Sequence, residues 1–171
     1  MTYQAINNIA AIDLDSLDTP SATKEYPLAT PIEINDTSKG QVSVFFYCKS
    51  HATLSAGQPV ELVEGTGGDA EFVTVGITTI EDGQGVLIGF PTTDVTSGYY
   101  FWAQISGIIT AKAGAFSAGD QITVLNGGTT VTEEDQTNRT AHTLGLAKTN
   151  TSGGLADIVI MPGRRIHVAA S

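Results

Sequence analysis

Few side chains in this 171-residue chain are of types that make or break bonds. The histidines are His51, His142 and His167, and none stands in an HxH, HExxH or cysteine-paired arrangement. Metal centres built on imidazole or thiolate need such spacings. Cys48 lies in an apolar run with Lys49 as its one basic neighbour, a setting that does not favour a reactive thiolate. As the single cysteine it also excludes an internal disulfide. No Gly-x-Ser-x-Gly elbow is present. Gly83-Gln84-Gly85 with Gly89 approaches a dinucleotide fingerprint, but the last spacing is wrong. Phe90-Pro91 also forbids the helix whose N-terminus would hold the phosphates. Asp13-Leu14-Asp15 with Asp18 lacks the third oxygen ligand and the glycine of a calcium loop. Glu133-Glu134-Asp135 reads as a solvated loop. These absences point to a non-enzymatic protein with no cofactor and no metal.

The chemistry that remains is that of contact surfaces. In Tyr99-Tyr100-Phe101-Trp102-Ala103-Gln104-Ile105, strand alternation puts Tyr99, Phe101, Ala103 and Ile105 on one face. That face reads as core. Tyr100, Trp102, Gln104 and Ser106 share the other. Tyr beside Trp is the composition of an interface hot spot or a sugar-stacking platform. The same pattern also suits a strand buried between two layers, so Tyr100 and Trp102 are candidate interface residues with a structural alternative.

The elements that would carry such surfaces are strands. Val, Ile and Thr outnumber Leu, Met, Glu, Lys, Arg and Gln, and β-branched side chains suit a pleated surface. Nineteen Gly and six Pro cut the chain into short pieces. The expectation is an all-β protein of about ten strands, two similar antiparallel units packed as a barrel or sandwich-like domain. Strands are expected at 42–48, 60–63, 72–80, 86–88, 99–105, 108–111, 121–125, 143–147 and 157–161, with a hairpin at Asp82-Gly83. Residues 132–141 are the one polar stretch suited to a helical turn.

Residues 1–37 differ. Their apolar side chains are loosely spaced, and Pro20, Pro27 and Pro31 forbid a long helix. They read as an extended N-terminal arm able to dock, or as a first strand and loop of the same domain. Residues 38–171 read as the β domain, its units spanning about 38–97 and 98–171. An internal echo supports the two units. Ser55-Ala56-Gly57, followed by Val60 and Leu62, recurs as Ser117-Ala118-Gly119, followed by Ile122 and Val124. Ile88-Gly89-Phe90 with Gly98 recurs as Leu144-Gly145-Leu146 with Gly154.

The formal net charge is −10, which argues against nucleic acid or an anionic membrane as a direct partner. No uncharged apolar run approaches the roughly 18 residues of a membrane helix. The N-terminus has no basic region ahead of an apolar stretch, unlike a signal peptide. Nearly all the net charge falls before residue 91, so the second half is the better candidate for burial against a large partner.

Tyr26-Pro27-Leu28, Phe46-Tyr47-Cys48-Lys49, Ser55-Ala56-Gly57-Gln58-Pro59-Val60, the Gly98–Gly107 strand, Ala118-Gly119-Asp120 and Leu144-Gly145-Leu146-Ala147 occur in this order. This order resembles capsid decoration, or cement, proteins and related head structural proteins of tailed bacteriophages. The glycine–aromatic–Trp-x-Gln-x-x-Gly strand is its most specific piece. The resemblance implies a virion protein on the outer surface of the capsid, made in the bacterial host cytoplasm. It implies a homotrimer that ties major capsid protein subunits together, with a terminal arm adding a strand to one of them. Tyr3, Ile6, Ile9, Ile12, Leu14 and Leu17 are then the arm's candidate capsid-binding side chains. Each such apolar anchor contributes ~1.5–3 kcal/mol before ordering costs. The alternative is a carbohydrate-binding or fibre-type surface module using Tyr100 and Trp102.

Overall fold

The computed structural model describes residues 3–5, 12–64, 72–76, 85–124, 128–134, 144–160 and 166–167. Twelve strands form among them: β1 (Tyr3–Ala5), β2 (Pro31–Asp36), β3 (Gln41–Ser50), β4 (Val60–Glu64), β5 (Phe72–Gly76) and β6 (Gly85–Pro91) in the first half. β7 (Tyr100–Lys112), β8 (Gln121–Val124), β9 (Val131–Glu133), β10 (Gly145–Ala147), β11 (Leu155–Ile160) and β12 (Ile166–His167) follow. A single 3-10 turn, Leu14–Asp18, is the one helical element described. The all-β expectation holds. The Asp82-Gly83 hairpin and most of 132–141 lie outside the described residues.

The strands hydrogen-bond in the order β1-β2-β3-β5-β4-β6-β7-β11-β10-β8-β9, with β12 on β6 and a further β3–β7 pairing. Five strands therefore make a circuit, β3-β5-β4-β6-β7 and back to β3. The β3–β5 link is two parallel residue pairs, so the sheet curls round a core without closing into a continuous barrel. The second unit curls likewise, β7-β11-β10-β8-β9, and Val131 at the start of β9 bridges back to Ala113 beyond β7.

β7 runs through both units. The sequence reading separates 99–105 from 108–111, whereas the chain forms one strand of 13 residues. Gly107 makes this possible. Its φ is 94°, and a Cβ there would meet Ser43 Oγ at 2.9 Å and the Val42 carbonyl at 3.0 Å. At that kink β7 leaves β3 and takes up β11. The Gln104 amide nearby is buried and donates to Ser43 Oγ, to the Ser106 carbonyl and to the Ile108 carbonyl. Its donors are thus satisfied despite the irregular ladder.

Three apolar clusters result. The inner face of the first unit gathers Cys48, Leu54, Val60, Leu62, Val95, Phe101 and Ala103. The second unit's core includes Ile109, Ala111, Ile122, Val124, Ala156 and Ile158, with Ile88 and Phe90 joining it from β6. The third lies outside the first unit, where Leu17, Ile32 and Ile34 cover Phe45, Tyr47 and Trp102.

The sequence echo corresponds to matched hydrogen bonds. The Gly57 N–H donates to the Pro91 carbonyl, and the Gly119 N–H to that of Ala147, each at 2.8 Å. The Ala56 N–H donates to Asp94 Oδ1, and the Ala118 N–H to Asn150 Oδ1, again at 2.8 Å. Val60 stands opposite Gly89, as Ile122 stands opposite Gly145. The partner pairings also align the strands. Pro91 faces Ala103 and Ala147 faces Ile158, so Tyr100, Trp102 and Gln104 correspond to Leu155, Asp157 and Val159.

Candidate functional site

The aromatic strand is buried on both faces in its first half, because a layer lies on each side of it. Trp102 is 1% exposed. Its ring centroid lies 5.0 Å from Tyr47 and 5.4 Å from Tyr26, and Tyr26 meets Tyr47 edge-on at 5.2 Å. These separations suit the quadrupolar attraction of tilted rings. The indole Nε1–H donates to Ser16 Oγ at 3.2 Å. Tyr100 is half-buried and stacks on Tyr47 at 6.1 Å, with the Lys49 ammonium 5.6 Å from its ring centre.

The cover over these rings is the N-terminal segment. Ser21 and Tyr100 exchange two backbone hydrogen bonds, of 2.9 and 2.8 Å. The Glu25 N–H donates to the Tyr47 hydroxyl, and the Asp13 N–H to the Tyr26 hydroxyl, both at 3.1 Å. β2 then adds to β3 over six residue pairs. Burial raises the Tyr47 hydroxyl above its ordinary pKa, the Glu25 N–H acting against this.

The candidate anchors fall as follows. Leu17 is buried in the chain's own aromatic cluster, and Ile12 and Leu14 pack half-buried against it. Tyr3 sits in β1 opposite Asp36. Ile6 and Ile9 lie outside the described residues. Tyr100 and Trp102 come together with these segments rather than standing in solvent. Cys48 is buried, and desolvation pushes its thiol well above the ordinary range. Among the described residues, no three His, Cys, Asp or Glu side chains gather as a metal site.

Two further surfaces stand out. The first is a cleft of about 440 Å³ at the rim of the cover, bordered by Asp13, Asp15, Thr19, Ser21, Glu25 and Tyr99. Its carboxylates are exposed. The second is the outer face of β7, β11 and β10. Ile108, Val159 and Leu146 lie side by side across the three strands, and Leu155 lies opposite Lys112. Leu155 is 44% exposed, Leu146 37% and Val159 36%. Lysines border this patch. Lys39 Nζ donates to the Ile108 carbonyl at 3.0 Å, Lys112 is in register with Leu155, and the Lys148 N–H donates to the Asp157 carbonyl. The one carboxylate within the patch, Asp157, accepts from Thr110 Oγ1 at 2.7 Å. Sequence reasoning passed over this surface, although Leu155 and Val159 stand on the opposite parity to Ala156, Ile158 and Ile160.

No protein-family model matches the chain, and no curated protein matches it by sequence. Among solved structures the chain is similar to the head fiber gp8.5 N base of bacteriophage phi29. The identity is 17% and the TM-score 0.50, over 71% of this chain and 97% of that one. The likeness is one of fold.

Proposed function

We propose that the chain is a structural protein of a tailed-phage head, carried on the outer surface of the virion and performing no catalytic step. The observation that carries this reading is the shared fold with a head fiber N base over almost the whole of that chain. The resemblance of the sequence to decoration proteins points to the same particle. In this reading the chain binds the major capsid protein as a trimer and ties neighbouring subunits together. Each copy binds only the assembled shell, so many modest contacts sum to a large stabilisation by mass action. Neither nucleic acid nor membrane is a partner, in keeping with the net charge of −10.

A second reading is that the chain is the base of a head fiber, and the similarity to the gp8.5 N base favours it specifically. A sugar-stacking role for Trp102 has less support, since its ring is covered and its N–H is bonded to Ser16.

The test is stoichiometric copurification with DNA-filled heads, followed by heating of particles that lack the chain. Heads that lose DNA at lower temperature than complete ones support cement. Heads of unchanged heat resistance that lack a projection support a fiber base. Absence of the chain from purified heads overturns both.

A further inference from the structure

The outer face of the second unit and the acidic cleft of the first are complementary in sign. The patch of Ile108, Leu146, Leu155 and Val159 is bordered by Lys39, Lys112 and Lys148, three of the five cationic side chains described. The ammonium groups of Lys112 and Lys148 make no hydrogen bond or ion pair among the described residues. At the cleft, the side chains of Asp15 and Glu25 likewise have no partner among the described residues. The cleft is open and large enough for a lysine side chain. The two surfaces carry charges of opposite sign, so they attract each other when two copies of the chain meet. The patch supplies apolar area, and the lysines and carboxylates set orientation.

We infer that the outer face of β7, β11 and β10 docks a second copy of this chain, with Lys112 and Lys148 reaching the Asp15 and Glu25 cleft of that copy. The contact joins two different surfaces, so repetition closes a ring or extends a filament. It rests on the self-association invoked by the proposed function and assigns that association a surface.

The test is sedimentation velocity of the full chain without heads, up to about 100 µM, at low and high salt. The expected result is concentration-dependent association that salt weakens. Lys112→Glu with Lys148→Glu, and separately Asp15→Lys with Glu25→Lys, should each weaken it by at least about tenfold. Mixing the two variants should restore a complex, because each keeps one intact surface. Leu155→Asp should also weaken association, with an unchanged circular dichroism spectrum showing that the fold is kept. A strict monomer at the highest concentration overturns the inference, as does association indifferent to both charge reversals. Head attachment is measured separately. Variants that no longer self-associate yet still copurify with heads leave the functional reading standing, whereas self-association without head attachment removes that reading and keeps this one.

Discussion

The first unit carries Tyr47, Tyr100 and Trp102 on the outer face of β3 and β7, and residues 12–36 fold over them. The second unit carries Leu155, Asp157 and Val159 at the corresponding places, and Leu146, Leu155 and Val159 remain partly in solvent. The two frames share turn hydrogen bonds and strand register. What separates them is the cover. A covered face accepts large rings, because their area is removed from water within the chain. The other face keeps Leu146, Leu155 and Val159 partly in solvent, with Asp157 among them and Lys112 in register with Leu155.

Changes that break the cover should show the largest effect. Trp102→Ala should destabilise the chain by ~3–5 kcal/mol, read by denaturant unfolding. Proteolysis between residues 12 and 30 should accelerate as the segment loses its seat. In contrast, Val159→Lys on the bare face should stay within about 0.5 kcal/mol of the parent. Equal losses at the two positions would erase the distinction drawn between the faces.

The paired turns sharpen the comparison. Gly57 has φ 71°, and a Cβ there would lie 2.6 Å from the Thr110 carbonyl oxygen. Gly119 has φ 95° and open space where its Cβ would be. Gly57→Ala should therefore cost about 2–5 kcal/mol from strain and overlap together, and Gly119→Ala about 1–2 kcal/mol from strain alone. Thermal unfolding midpoints of the two variants measure the gap.

Next in size are the side chains that hold those turns. Asp94→Ala and Asn150→Ala each remove one acceptor from an exposed turn N–H. Each should cost about 0.5–1.5 kcal/mol, and the two should match. Unequal costs would show that the bonds differ in weight despite their shared geometry.

The smallest expected effect is electrostatic. Desolvation raises the Glu61 carboxyl above its ordinary pKa. The folded state therefore holds this proton more firmly than the unfolded one, and stability falls as pH rises through the carboxylate range. Glu61→Gln should be slightly more stable than the parent at neutral pH. The difference should vanish below the ordinary glutamate pKa, as seen by denaturant midpoints across pH.

Much of this molecule is visible in its residues. β-branched runs broken by Gly and Pro dictate strands, because those side chains lose little freedom on a pleat and much in a helix. The repeated Ser-Ala-Gly turns reveal two similar units, since a turn with positive φ admits few residues. The poverty of nucleophiles and ligand spacings turns attention from bond chemistry to surfaces. Other features rest on contacts between distant segments. Period-two alternation tells which side chains share a face but not whether the second face is covered. That is why Tyr100 and Trp102 stay ambiguous in sequence until Leu17, Tyr26 and Ile32 are seen lying over them. The continuity of β7 depends on Gly107 meeting β3, a contact between segments some sixty residues apart in the chain. The bare face beside the lysines likewise exists only once β7, β10 and β11 lie side by side, for burial is a property of neighbours in space.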